Sequence, residues 1–175
     1  MPDLIALNTT RLELVSAGPD MLRAAIAGDK ELIALTGFSL AAKWTMFGPG
    51  VFEYVLEILG DKPDAQAWWT WFPVHENMLI GNCGYKGPPD DQGRVEIGYE
   101  VAPNFRGQGF ATEIAKALIK HAWQENSVNV IIAHTLPEHN ASTRVLKKCG
   151  FSFVETVEDP EDGVIWKWQL QRTES

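Results

Sequence analysis

Cysteine is scarce in this 175-residue chain, with only Cys83 and Cys149. So few thiols exclude a disulfide-stapled scaffold and a cysteine-built zinc cluster. Cys149 lies on the apolar side of a helical pattern, where a buried free thiol is expected. His75, His121 and His134 are scattered without ligand spacing, so no metal site is expected. Basic residues are also few, 15 against 23 acidic ones, for a formal net charge of −8. A field of that sign repels a phosphate backbone, and nucleic acid is not an expected partner. No apolar run approaches the roughly 20 residues of a membrane span. Met1-Pro2-Asp3-Leu4 has neither the basic region nor the apolar core of a secretory signal. Together these absences lead to the expectation of a soluble, cytoplasmic protein with no membrane partner. Repeats, low-complexity tracts and linkers are absent too. With 45% apolar residues, one domain over residues 1–175 is expected, large enough to bury roughly two thirds of its unfolded surface.

What is present centres on Val95 to Trp123, VEIGYEVAPNFRGQGFATEIAKALIKHAW. Val95, Ile97, Tyr99 and Val101 alternate with Glu96, Gly98 and Glu100, the period of a two-faced strand, and Pro103 lacks the N–H a ladder needs. Ala111, Ile114, Ala115, Leu118, Ile119 and Ala122 recur at helical spacing, which predicts a helix from about Gln108. Between them lies Arg106-Gly107-Gln108-Gly109. The first turn of such a helix offers free N–H groups and the positive end of its dipole, the local chemistry of an anion site. A Walker loop would need a lysine where Phe110 stands. A dinucleotide fingerprint would need glycine at Thr112 and an acidic residue after the next strand, and neither is there. A loop whose glycines serve turn geometry alone is the remaining alternative.

Around this junction the pattern predicts a strand over Arg11–Val15 and helices over Pro19–Ala27, Lys30–Leu35 and Val51–Leu59. A hairpin is expected from Gln66–Val74 and Met78–Lys86 about the turn His75-Glu76-Asn77. Strands over Arg94–Val101 and Val128–His134 flank the long helix, and a helix over Asn140–Lys148 stops at Gly150. A hairpin of Phe151–Val157 and Val164–Leu170 closes the chain. That order implies an α+β fold, a mixed sheet with helices on its faces.

Arg106, Gly109 and Ala111 follow the pattern Arg/Gln-x-x-Gly-x-Gly/Ala between a strand and a long helix. They resemble the acetyl-CoA pyrophosphate loop of the GNAT N-acetyltransferases. HTLPEHNASTRVLKKCGF, His134 to Phe151, is similar to the strand, Asn-containing turn, helix and terminal Gly-Phe of that superfamily. The opening Thr9-Thr10-Arg11-Leu12-Glu13-Leu14 resembles the first strand of its ribosomal-protein N-terminal acetyltransferase branch. This resemblance implies a central, mostly antiparallel twisted sheet with helices on both faces. It also implies acetyl-CoA as co-substrate, an amine acceptor and no metal.

The same resemblance assigns candidate residues. The cofactor would contact the loop residues Arg106, Gly107, Gln108, Gly109, Phe110, Ala111 and Thr112. Backbone amides over Tyr99, Glu100 and Val101, on a bulged and splayed strand, would polarise the acyl carbonyl. Asn140 would also touch the cofactor, although Asn-Ala-Ser stands where relatives have Asn-x-x-Ser, which puts His139 at the shifted position. Glu96 would be the base that deprotonates the amine, with Glu100 as its rival and a solvated or ion-paired strand carboxylate as the plainer alternative. Leu146 replaces the usual tyrosine acid, which leaves Ser142 as the donor to the departing thiolate or, alternatively, as a helix cap. Trp44 and Phe47 would form a partly exposed acceptor wall, while Trp68, Trp69, Trp71 and Phe72 belong to the core.

The local basic set Arg106, Lys116, Lys120, Arg144, Lys147 and Lys148 would meet the phosphates of CoA within an acidic molecule. The function implied is transfer of an acetyl group to a primary amine, a protein N-terminus or a small molecule, by direct attack in a ternary complex. A non-catalytic acyl-CoA sensor is the rival that the missing tyrosine keeps open. The assembly, monomer or homodimer, is not written in the sequence.

Overall fold

The computed structural model describes residues 5–46, 48–60 and 62–173. Strands β1 (Ala6–Asn8) and β2 (Glu13–Ser16) lead into helices α1 (Pro19–Ala27) and α2 (Asp29–Thr36). Next come β3 (Ser39–Leu40), α3 (Gly48–Leu59), a 3-10 helix (Pro63–Trp68), β4 (Thr70–His75), β5 (Met78–Leu79) and β6 (Gly81–Tyr85). The second half is β7 (Arg94–Val101), a 3-10 turn (Pro103–Phe105), α4 (Phe110–Trp123), β8 (Val130–Thr135), α5 (Ala141–Lys148), β9 (Ser152–Asp159) and β10 (Gly163–Gln171). The main strand order is β1-β2-β4-β6-β7-β8-β10-β9, with β5 beside β4 and β3 beside β5. Apart from the parallel pairs β7–β8 and β3–β5, the ladders are antiparallel.

Neighbouring residues of one strand enter different cores, as a pleated strand requires. Leu14 and Trp71 pack with α4 and α5, whereas Val15 and Phe72 pack with α1, α2 and α3. Helices therefore cover both faces of the sheet. Ile114, Ala115, Leu118 and Ala122 are completely buried along one stripe of α4. Burial of Ile114 and Leu118 contributes about 2 kcal/mol each. Between β4 and β5, Glu76 and Asn77 both adopt positive φ (48° and 66°), the backbone signature of the tight hairpin turn expected there.

Three departures from the sequence pattern have local causes. Residues 63–68 form a 3-10 helix opened by Pro63, and the Trp71 indole N–H donates to the Ala67 carbonyl at 2.8 Å. The predicted strand is thereby delayed to Thr70. Strand β1 is three residues long and, among the described residues, pairs with β2 alone, too short for alternation to reveal. Helix α4 begins at Phe110 rather than Gln108, because Gly107 and Gly109 hold φ of 72° and 85°, incompatible with helix continuation. Among the described residues, no helix is long and apolar enough to cross a membrane.

Candidate active site

Strand β7 is the axis of the site. On one edge it pairs with β6 from Ile97 to Val101. On the other it pairs with β8 only from Arg94 to Glu96. Beyond Glu96 the parallel strands separate, so the β8-side backbone of the stretch over Tyr99, Glu100 and Val101 has no strand partner. Unpaired backbone amides seek an acceptor. The register against β6 runs without a shift, so this strand is splayed but not bulged, which corrects the expected bulge.

The open edge runs into the glycine loop. Arg106, Gly107, Gln108 and Gly109 are exposed, Ala111 and Thr112 are half-buried, and the Phe110 ring turns into the core. Phe110 can therefore meet a ligand only through its N–H. In α4, Glu113 N donates to Gly109 O at 3.1 Å, which leaves the N–H groups from Gly109 to Thr112 without intrahelical acceptors. Arg106 folds back, its Nε donating to Val101 O at 2.9 Å, and so joins the loop to the end of β7. Gln108 Nε2 donates to Asn104 O at 3.0 Å.

Arg11, not a sequence-predicted site residue, holds this loop from outside. Its Nη1 donates to Gln108 O at 2.9 Å, and its Nε pairs with Glu113 Oε1 at 2.8 Å. The guanidinium carbon also lies 4.1 Å from the Phe110 ring centre. Glu113 accepts further bonds from Arg11 N and Thr9 Oγ1. Partial burial pushes the Glu113 carboxyl upward, but these hydrogen bonds and the Arg11 charge outweigh it and hold it below its ordinary range. A carboxylate in the first turn of α4 was a visible signal, but its partner lies about a hundred residues earlier.

The two carboxylates of β7 occupy different surroundings. Glu96 Oε2 lies 2.8 Å from Lys86 Nζ and 3.0 Å from His134 Nδ1. Glu100 Oε1 accepts from Met46 N at 3.0 Å, while its buried Oε2 has no partner. Burial raises the Glu100 pKa, against the lowering effects of Thr45, Met46 N and Arg106.

Across the gap, the Tyr99 hydroxyl stands 3.4 Å from both Ser142 Oγ and Ser142 O. Burial pushes the Tyr99 phenol up to about 12, with the Ser142 hydrogen bond opposing that rise. Asn140, not Ser142, caps α5: its side chain accepts from Thr143 N at 3.1 Å, and Thr143 Oγ1 accepts from Asn140 N at 2.9 Å. The Ser142 hydroxyl is free of that duty, and only the Asn140 amide N–H₂ is left to reach a ligand, already bonded to Glu138 at 3.3 Å. Leu146, at the usual tyrosine position, is fully buried.

Trp44 is not the partly exposed ring expected. It is 5% accessible, stacks on Phe52 at 5.8 Å, meets Phe72 edge-on and donates its indole N–H to Asp29 at 3.2 Å. Two residues later, Met46 is the exposed side chain near Arg106 and Glu100. Phe47 lies outside the described residues.

A splayed parallel pair leads into the amide-lined start of a helix, an arrangement whose free N–H groups suit an anion. The chain belongs to the acetyltransferase (GNAT) family, whose domain matches residues 18–152. It is 29% identical over 153 residues to the uncharacterized N-acetyltransferase YjdG of Bacillus subtilis, covering 85% of this chain and 90% of that one. It is 38% identical over 162 residues to the FsC-acetyl coenzyme A-N(2)-transacetylase of Aspergillus fumigatus, covering 86% and 66% of the two chains. In fold it matches RimL, a ribosomal L7/L12 alpha-N-protein acetyltransferase solved in complex with coenzyme A. That match has TM-score 0.67 at 16% identity and spans 97% of this chain and 98% of the other.

Proposed function

We propose that this protein transfers the acetyl group of acetyl-CoA to a primary amine, either a protein N-terminus or a small molecule, by direct attack with both substrates bound. The observation that carries this reading is the opening of β7 from β8 just after Glu96, followed along the chain by the free amides of Gly109 to Thr112. The residues present fit the co-substrate. The four amides suit a pyrophosphate, and the exposed Lys116, Lys120, Arg144, Lys147 and Lys148 on α4 and α5 supply charge for its remaining phosphate. Acetyl-CoA supplies an activated acyl group with a thiolate leaving group.

The chain's own residues then divide the work. The open amides between Tyr99 and Val101 orient and polarise the acyl carbonyl. Ser142, beside Tyr99, donates a proton on the leaving-group side. Glu96 organises the proton-accepting side, with Glu100 in the same strand face. Two carboxylates there and a net charge of −8 favour a cationic acceptor. The relatives' names support acetyl-CoA as donor and nitrogen as acceptor, including a protein N-terminal amine for the structural neighbour.

The test is CoA-thiol release from acetyl-CoA against peptides with free N-termini, polyamines, amino acids and aminoglycosides, with the acetylated product identified by mass spectrometry. Amine-dependent release is expected. Tight acetyl-CoA binding with no release for any amine class would favour a sensor instead.

A further inference from the structure

Glu96 does not stand alone on its strand face. Its Oε2 lies 3.0 Å from Nδ1 of His134, on β8. His134 comes two residues after Ile132, the last β8 residue in register with β7, so it sits at the mouth of the splay. Both side chains are about one-fifth accessible, 22% for Glu96 and 23% for His134. An ionised carboxylate only accepts hydrogen bonds, so the neutral ring must carry its proton on Nδ1 and keep a lone pair on Nε2. Among the described residues, no protein group bonds that Nε2.

We infer that His134 Nε2 takes the proton from the acceptor amine, and that Glu96 is the positioning residue that fixes the tautomer and aim of the ring. This rests on the acetyltransferase reading. Glu96 Oε2 is already shared by Lys86 at 2.8 Å and His134, so these contacts occupy the carboxylate oxygen and leave the ring nitrogen as the open acceptor. Imidazole ordinarily changes charge near neutral pH, where a base works best.

The step balances. The amine arrives as an ammonium ion and loses one proton to Nε2. Its lone pair then forms the N–C bond as the C–S bond breaks. The second nitrogen proton is released as the amide forms, and the thiolate gains one from the Ser142 side. The products are the N-acetyl amine, free CoA thiol and one proton returned to water. Charged groups face His134 from each neighbouring element. These are the carboxylates of Glu96 on β7 and Asp159 at the end of β9, and the ammonium groups of Lys86, just past β6, and Lys167, opposite His134 on β10.

The experiment uses the full chain and three variants, His134→Gln, His134→Ala and Glu96→Gln, with melting temperature and acetyl-CoA affinity by calorimetry recorded for each. With the most active amine of the panel, both His134 variants should lose about a hundredfold in turnover at unchanged acetyl-CoA affinity. Added imidazole should restore part of the rate of His134→Ala, which a merely structural role would not allow. Nitrogen NMR of the His134 ring should show Nδ1 protonated in the wild type and a mixed tautomer in Glu96→Gln. A wild type that releases no thiol with any amine would defeat the acetyltransferase reading, and the inference with it. An active wild type beside His134 variants of equal rate, or lost rate that imidazole leaves unrestored, would overturn the inference alone.

Discussion

Replacing Arg11 by alanine should loosen the glycine loop from outside it. Three side-chain interactions go: the ion pair to Glu113 at 2.8 Å, the bond to Gln108 O at 2.9 Å, and the guanidinium 4.1 Å from the Phe110 ring centre. The ion pair is partly screened, at 37% and 17% side-chain accessibility, and contributes about 1 kcal/mol or less. The carbonyl bond adds about 1 kcal/mol and the cation–π contact about 0.5 kcal/mol. Glu113 keeps its bonds to Thr9 and to Arg11 N, so the net loss should be about 2 kcal/mol. For a domain of this size that lowers Tm by about 4–8 °C.

Acid narrows that gap, with a definite sign. The Glu113 carboxyl is held below its ordinary range, so its contribution is complete above that range and fades as pH falls through the depressed value. Thermal melts at pH 7 and near pH 3, with calorimetric titration of acetyl-CoA at pH 7, make the assay. The loop should also bind acetyl-CoA about fivefold more weakly, roughly 1 kcal/mol. An Arg11→Ala protein with unchanged Tm and affinity at pH 7 would refute this account of the loop.

Asn140→Ala should lower stability by about 1 kcal/mol through loss of the α5 cap, whereas Ser142→Ala should leave Tm nearly unchanged and slow turnover. Because an ordinary thiol has a pKa of about 8.5 and its anion leaves tolerably, that slowing should be modest. Melting and steady-state rates on the same two proteins separate the roles, and a destabilised Ser142→Ala with full turnover would return Ser142 to a structural part. Trp44→Ala should cost about 3–5 kcal/mol by emptying a packed aromatic site. A folded Trp44→Ala protein of normal stability and weakened acceptor KM would instead place Trp44 in the acceptor wall.

How much of this was legible depends on the range of the interaction. Strand β7 and helix α1 were bounded to the residue, because alternation over Val95–Val101 and a proline at the start of a helical stripe are local signals. The glycine loop was legible for the same reason, and only its helix start moved, by the left-handed turns at Gly107 and Gly109. Trp44 was misplaced because its neighbours in the core, Phe52 and Phe72, come from two other elements. Arg11 and Glu113, like Glu96 and His134, become partners only through sheet pairing and packing. No spacing rule within one segment joins residues 38 or 102 positions apart.

The central claim is that the amide-lined start of α4 holds the phosphates of acetyl-CoA, and calorimetric titration of wild type beside Gly109→Asp tests it most directly. Gly109 is exposed at φ 85°, and an added Cβ would lie 3.3 Å from Arg11 Nη2, the movable end of a long side chain. Aspartate tolerates that backbone region better than most residues, so the variant should fold while setting a negative charge at the helix N-terminus. The account predicts saturable acetyl-CoA binding to the wild type and affinity at least about tenfold weaker in the variant, roughly 1.4 kcal/mol. Equal affinity in a folded Gly109→Asp protein, or no binding to the wild type, would contradict it.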